Sequence, residues 1–226
     1  MAIRTEAFGA TGAAGHIDCV IDWPDQSDPD TPLRGWALVL HPHPLHEGTR
    51  NNKVVTTLAR AYAQAGYAAI RPDFRGVGKS DGTFDKSRGE TEDMQLLIQA
   101  FLKAHPELEG KPWLLAGFSF GTSVAAQLYS VLAEEKSQPL PQLLTLVGTA
   151  VKRFVWRDVQ LPENIIVIHG ERDDVVPLQE VFDWIADYRV PVSVIPQATH
   201  FFHGYLVELK KLALGALQQI TDNSRL

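Results

Sequence analysis

The segment Gly117-Phe118-Ser119-Phe120-Gly121 sets a hydroxyl between two glycines. That pattern has a physical reason when it joins a strand to a helix. A sharp turn leaves no room for bulk beside the nucleophile, lifts the serine into the open and aims a helix N-terminus at the reacting carbonyl. A serine hydroxyl is a weak nucleophile, so an imidazole must take its proton, and a carboxylate must fix that imidazole's tautomer. The run Ala198-Thr199-His200-Phe201-Phe202-His203 offers two imidazoles. His200 stands nearer the preceding apolar run, and His203 is its competitor. The run His169-Gly170-Glu171-Arg172-Asp173-Asp174 offers two carboxylates, Asp173 and Asp174. The plainer reading of that run is a solvated acidic turn capping the helix that begins near Pro177.

A fourth segment, His41-Pro42-His43-Pro44-Leu45-His46-Glu47-Gly48, follows an early apolar run. An elbow of this type draws one oxyanion amide from such a loop and the other from the residue after the nucleophile, here Phe120. Proline has no N–H to give, so His43 is the first choice for the loop amide and Leu45 the second. A rival reading makes His41, His43 and His46 zinc ligands, although the hydroxyl chemistry requires no metal. Cys19 lies among Ile17, Val20 and Ile21 and reads as core filler rather than as a nucleophile. Asp73 and Arg75 read as loop-shaping residues. Trp113, Trp156 and Trp184 read as packing residues. Phe118, Phe120, Phe201 and Phe202 either line an acyl pocket or support the reactive turn.

These residues need elements to hold them. Continuous apolar runs at 36–40, 67–70, 112–118, 143–147, 165–168 and 191–195 read as strands buried on both faces. Between them lie helix-like stretches at 51–65, 92–104, 122–135, 178–187 and 205–220, the first closed by Gly66. Residues 17–21 are the clearer of two early edge strands, followed by a Pro/Asp-rich turn at 24–32. The stretches 83–91 and 134–141 read as surface loops. Strand–helix alternation without a linker implies one α/β domain spanning residues 1–226, with a mostly parallel sheet covered on both faces. In such a sheet, ligands sit beyond the carboxyl ends of the strands, where all four candidate segments fall.

With 45% hydrophobic and 21% charged residues, the 226-residue chain is ordinary for a globular protein. A net charge of −6 gives no footprint for nucleic acid or an acidic membrane. One cysteine excludes an intrachain disulfide. No apolar run approaches a membrane span, and the N-terminus lacks a signal-peptide layout, so a cytoplasmic location is expected.

The run Asp73-Phe74-Arg75-Gly76-Val77-Gly78-Lys79-Ser80 resembles the D-x-R-G-x-G-x-S loop of many α/β hydrolases. H-G-E-x-D-x-x-V-P resembles the acid loop of the same superfamily, and that resemblance assigns the acid to Asp173. Residues 41–48, with Asn51-Asn52-Lys53, resemble a small bacterial esterase-like subgroup with an HPHP opening. The resemblance runs from about Trp36 to the end, with Ser, Asp and His in the superfamily's order. It implies an α/β-hydrolase fold and a Ser119–His200–Asp173 triad acting on an ester or thioester of a small-molecule acyl substrate, without cofactor, in a monomer or homodimer. A serine peptidase or amidase, or a non-catalytic binding protein on the same scaffold, are the alternatives. The connector 149–162 is too short for a substantial lid, so an open, shallow site is expected.

Overall fold

The computed structural model describes residues 3–25, 33–136 and 138–223. It opens with an antiparallel hairpin, β1 (Arg4–Gly12) and β2 (Gly15–Trp23). Beyond Asp25, the turn expected at 24–32 lies outside the described residues. Then follow β3 (Gly35–Leu40), α1 (Lys53–Gln64), β4 (Tyr67–Pro72), α2 (Arg88–Ala104), β5 (Trp113–Phe118) and α3 (Phe120–Glu135). The chain continues through β6 (Leu143–Val147), α4 (Val151–Phe154), β7 (Ile165–Gly170), α5 (Leu178–Ile185), β8 (Val192–Ile195) and α6 (Leu206–Asn223).

The strands form one sheet in the order β1-β2-β4-β3-β5-β6-β7-β8. Pairing is parallel from β4 through β8 and antiparallel only where β2 meets β1 and β4. Side chains on a strand alternate between faces. Trp36, Leu38 and Leu40 of β3 therefore join the core under α2, α3 and α5, while Ala37 and Val39 join the core under α1 and α6. Both faces are dry, which is why β3, β5 and β6 are apolar without interruption.

Two elements depart from the sequence reading. Helix α2 starts at Arg88, a turn before the expected residue 92, inside a stretch that reads as a polar loop. Its buried polar residues Glu90 and Thr91 each take a local hydrogen bond: the Asp85 N–H donates to Glu90 Oε1 at 2.8 Å, and Thr91 Oγ1 donates to the Ser87 carbonyl at 2.6 Å. The connector after β6 contains the four-residue helix α4, and no larger insertion separates β6 from β7. The fold is therefore an α/β hydrolase without a substantial lid. No helix among the described residues is long and apolar enough to cross a membrane.

Candidate active site

The reactive turn follows from two contacts that exclude side chains. A Cβ on Gly117 would lie 2.3 Å from the Gly121 carbonyl oxygen, and one on Gly121 would lie 2.5 Å from the Leu40 carbonyl oxygen. Glycine alone lets β5, the start of α3 and the end of β3 meet this closely. Between them Ser119 adopts φ 53° and ψ −120°, a conformation that L side chains rarely take. It is held by its own N–H on the Val147 carbonyl (2.9 Å) and by Thr122, whose N–H and Oγ1 both donate to the Ser119 carbonyl.

The loops after β7 and β8 bring the other two groups to this serine. Gly170 lies against the Ala198 carbonyl, where a Cβ would come within 2.4 Å. Arg172 N–H donates to the same Ala198 carbonyl, and Gln197 N–H donates to Glu171 Oε2 at 2.8 Å. The loops are thus strapped together, and His200 stands between the acid and the serine. Its Nε2 is 2.9 Å from Ser119 Oγ, and its Nδ1 is 2.7 Å from Asp173 Oδ2. An ionised carboxylate only accepts, so Nδ1 carries the proton and Nε2 is free to accept from the hydroxyl.

Asp173 is buried, and burial alone would raise its pKa. The hydrogen bond and charge of His200, with the Val176 N–H, outweigh burial and hold the carboxyl below the usual aspartate range. Asp174 is exposed beside it, and His203 is exposed in the turn before α6. The structure therefore brings Ser119, Asp173 and His200 together and leaves the two competitors outside.

The His200 ring packs between Phe118, 5.0 Å away, and the edge of Phe201, 5.2 Å away. Phe120 forms an aromatic cluster with His43, Phe74, Phe84 and Phe154. Phe120 and Phe201 line the cavity over Ser119, whereas Phe118 and Phe202 are buried in the core. Of the two candidate loop amides, Leu45 N–H is taken by His43 Nδ1 at 3.2 Å. The N–H groups of His43 and Phe120 have no hydrogen-bond partner among the described residues. His41 is fully buried: its Nδ1 donates to the Pro42 carbonyl at 2.7 Å, and its Nε2 accepts the Phe74 N–H at 2.9 Å. Burial lowers its pKa to about 3. Both ring nitrogens are committed, which removes His41 from the zinc-ligand reading.

The cavity over Ser119 measures about 580 Å³. The wall also includes Glu47 and Asn52 from the segments around His43 and Val175 and Val176 after the acid; Ala150, Arg153 and Phe154 from the connector carry no motif in the sequence. The available signal for the connector was position, because it follows directly on the carboxyl end of β6. Arg153 is held by Glu180 of α5 through contacts of 2.8 and 2.7 Å. The remaining candidates are structural. Arg75 pairs with Asp93 at 2.7 Å, and Asp73 accepts the Arg50 N–H at 2.8 Å. Cys19 is buried, and burial pushes its thiol pKa up. Trp113 stacks on Trp36 at 4.5 Å, and Trp184 packs near Tyr188. Trp156 is a correction: it is exposed, with the guanidinium groups of Arg88 and Arg157 over its ring.

Comparison with known proteins adds three kinds of likeness. The family model for X-Pro dipeptidyl-peptidase (S15 family) matches residues 24–141, just over half of the chain. An uncharacterised protein of Rickettsia prowazekii is 31% identical over 204 residues, covering 87% of this chain and 83% of its own. A lidless α/β serine hydrolase from Xanthomonas campestris superposes with a TM-score of 0.83 at 31% identity, covering 97% of this chain and 96% of its own. An α/β serine hydrolase homologue from Coxiella burnetii gives a TM-score of 0.79 at 34% identity, covering 94% and 97%.

Proposed function

Since the chain belongs to the X-Pro dipeptidyl-peptidase (S15) family, within the α/β-hydrolase superfamily, we propose that it cleaves carboxylic esters or thioesters through an acyl-enzyme on Ser119. The observation that carries this reading is the unbroken line from Ser119 Oγ through His200 to Asp173, at 2.9 and 2.7 Å. His200 Nε2 takes the hydroxyl proton as Oγ attacks the carbonyl carbon. The developing oxyanion is held by the N–H groups of Phe120 and His43. His43 is preferred to Leu45 because its amide is uncommitted while that of Leu45 is engaged. The imidazolium then gives its proton to the departing alkoxide or thiolate. Water, deprotonated by the same imidazole, releases the acid. Asp173 keeps the Nδ1–H tautomer and balances the imidazolium charge throughout. The substrate is a small acyl compound, and the steps use no cofactor.

Ser119→Ala should lower p-nitrophenyl acetate turnover by about 10³-fold or more while leaving circular dichroism unchanged. A fluorophosphonate should label the unaltered protein at Ser119. Full turnover by the alanine variant, or absence of labelling, rejects the reading. The match to the X-Pro dipeptidyl-peptidase model favours a second reading, amide cleavage by the same residues. A kcat/KM for an Xaa-Pro p-nitroanilide above that for the p-nitrophenyl ester would establish it instead.

A further inference from the structure

Beside the acid of this site lies a second imidazole that the steps above do not use. His169 is the penultimate residue of β7 and is completely buried. Its Nε2 lies 2.8 Å from the Val176 carbonyl oxygen and 3.3 Å from Asp173 Oδ2. A carbonyl only accepts, so Nε2 must carry the proton. The carbonyl takes that N–H, and the Asp173 carboxylate only lies against the ring. Nδ1 is buried without a hydrogen-bond partner among the described residues. Burial pushes the His169 pKa below the ordinary range, so the ring stays neutral and keeps the one tautomer that donates to the Val176 carbonyl.

We propose that His169 is a positioning residue, which holds Val176 so that its N–H fixes the Asp173 carboxylate toward His200. This rests on the triad reading, but it predicts a property of the Asp173–His200 pair that is measurable without turnover. Asp173 Oδ1 accepts the N–H groups of Val175 and Val176 at 3.0 and 2.7 Å, and Oδ2 accepts from His200 and lies 3.3 Å from His169 Nε2. Val176 presents its carbonyl to His169, so the ring holds the residue whose N–H anchors the carboxylate. The other charged groups acting on the pair are Arg153 from the connector and Glu180 from α5, themselves joined as an ion pair.

Loosening the Val176 N–H from the Asp173 carboxylate makes that carboxylate more basic. A more basic Asp173 holds the His200 imidazolium more tightly, so His200 should titrate at higher pH. The test is an NMR titration of His200 in the unaltered protein, His169→Phe and His169→Gln, followed on the downfield Nδ1 proton and the ring carbons. His169→Phe should raise the His200 titration midpoint by about half a pH unit or more. It should lower kcat toward p-nitrophenyl acetate about 10-fold with KM within two-fold. His169→Gln keeps an N–H donor and should return both values toward the starting protein. His169→Asn, whose shorter amide falls short of the Val176 carbonyl, replaces the phenylalanine variant if that protein does not fold. An unmoved His200 midpoint in the folded phenylalanine or asparagine variant overturns the proposal. Ser119→Ala turnover tests the triad separately, so failure of one reading is distinguishable from failure of the other.

Discussion

At the residue scale, the site depends on how Asp173 is solvated by the protein rather than by water. Its carboxylate is buried, yet it accepts from two backbone amides and from His200. Because its folded pKa lies below the unfolded value, it stabilises the fold above the ordinary aspartate range of about 3.9. That contribution is lost as pH falls through the folded value. Asp173→Asn should therefore flatten the acid limb of the stability profile in chemical denaturation. On activity, the amide no longer selects the Nδ1–H tautomer, and kcat should fall about 10⁴-fold with little change in KM. An asparagine variant within ten-fold of the original kcat would remove Asp173 from the proposed role. The same change at the exposed Asp174 should leave kcat within two-fold.

At the element scale, the connector between β6 and β7 stands where a lid would otherwise be inserted, and α3 pins it down. Gln127 donates from Nε2 to Ser87 Oγ at 2.7 Å and to the Ser123 carbonyl at 3.0 Å, and its Oε1 accepts the Trp156 N–H at 3.1 Å. Ser87 Oγ donates in turn to the Phe154 carbonyl, and Ser123 Oγ donates to the Ala150 carbonyl at 2.9 Å. The helix that starts at the nucleophile thereby also fixes the wall that carries Arg153 and Phe154. Gln127→Leu leaves the Trp156 N–H without its acceptor and removes a donor from Ser87 Oγ, which should cost about 1–3 kcal/mol in urea unfolding. The loosened wall should raise KM more than it lowers kcat. An unchanged KM and an unchanged midpoint together would show that the ladder does not hold the wall. None of this was legible in the sequence. Nothing in the sequence marks Gln127 among the polar residues of its helix, and Ser87 reads as part of a surface loop.

At the scale of the whole molecule, the cavity is open and its wall carries two exposed apolar side chains. Val175 is 43% exposed and Phe201 42%, from the loops after β7 and β8. Without a lid, nothing covers the portion of an acyl chain that extends past the cavity. Each buried methylene contributes about 0.8 kcal/mol, while one left in water contributes almost nothing. The kcat/KM for p-nitrophenyl esters should therefore rise over the first few carbons of the acyl chain and then level off or fall. A continued rise through the long-chain esters would mean that an unrecognised part of the surface closes over the substrate.

The sequence by itself determined the sheet, the helix faces and the reactive serine. Each of these is encoded locally: apolar runs buried on both faces, stripes at helical spacing, and two glycines where backbones meet too closely for a Cβ. Strand ends also located the loops that carry Asp173 and His200. Chain order and spacing did not separate Asp173 from Asp174 or His43 from Leu45, because near neighbours share the same local signal; family resemblance favoured Asp173, and the prolines beside His43 made it the first choice. Only the tertiary structure decided which carboxylate turns inward, which amide stays free, and that His41 is sealed between a carbonyl and an amide. Ser119, the residue the sequence marked most plainly, is held by Val147 and Thr122 and faces a wall built from the connector. Those partners come together only when the strands align, since a hydrogen bond between distant residues leaves no pattern in the chain that forms it.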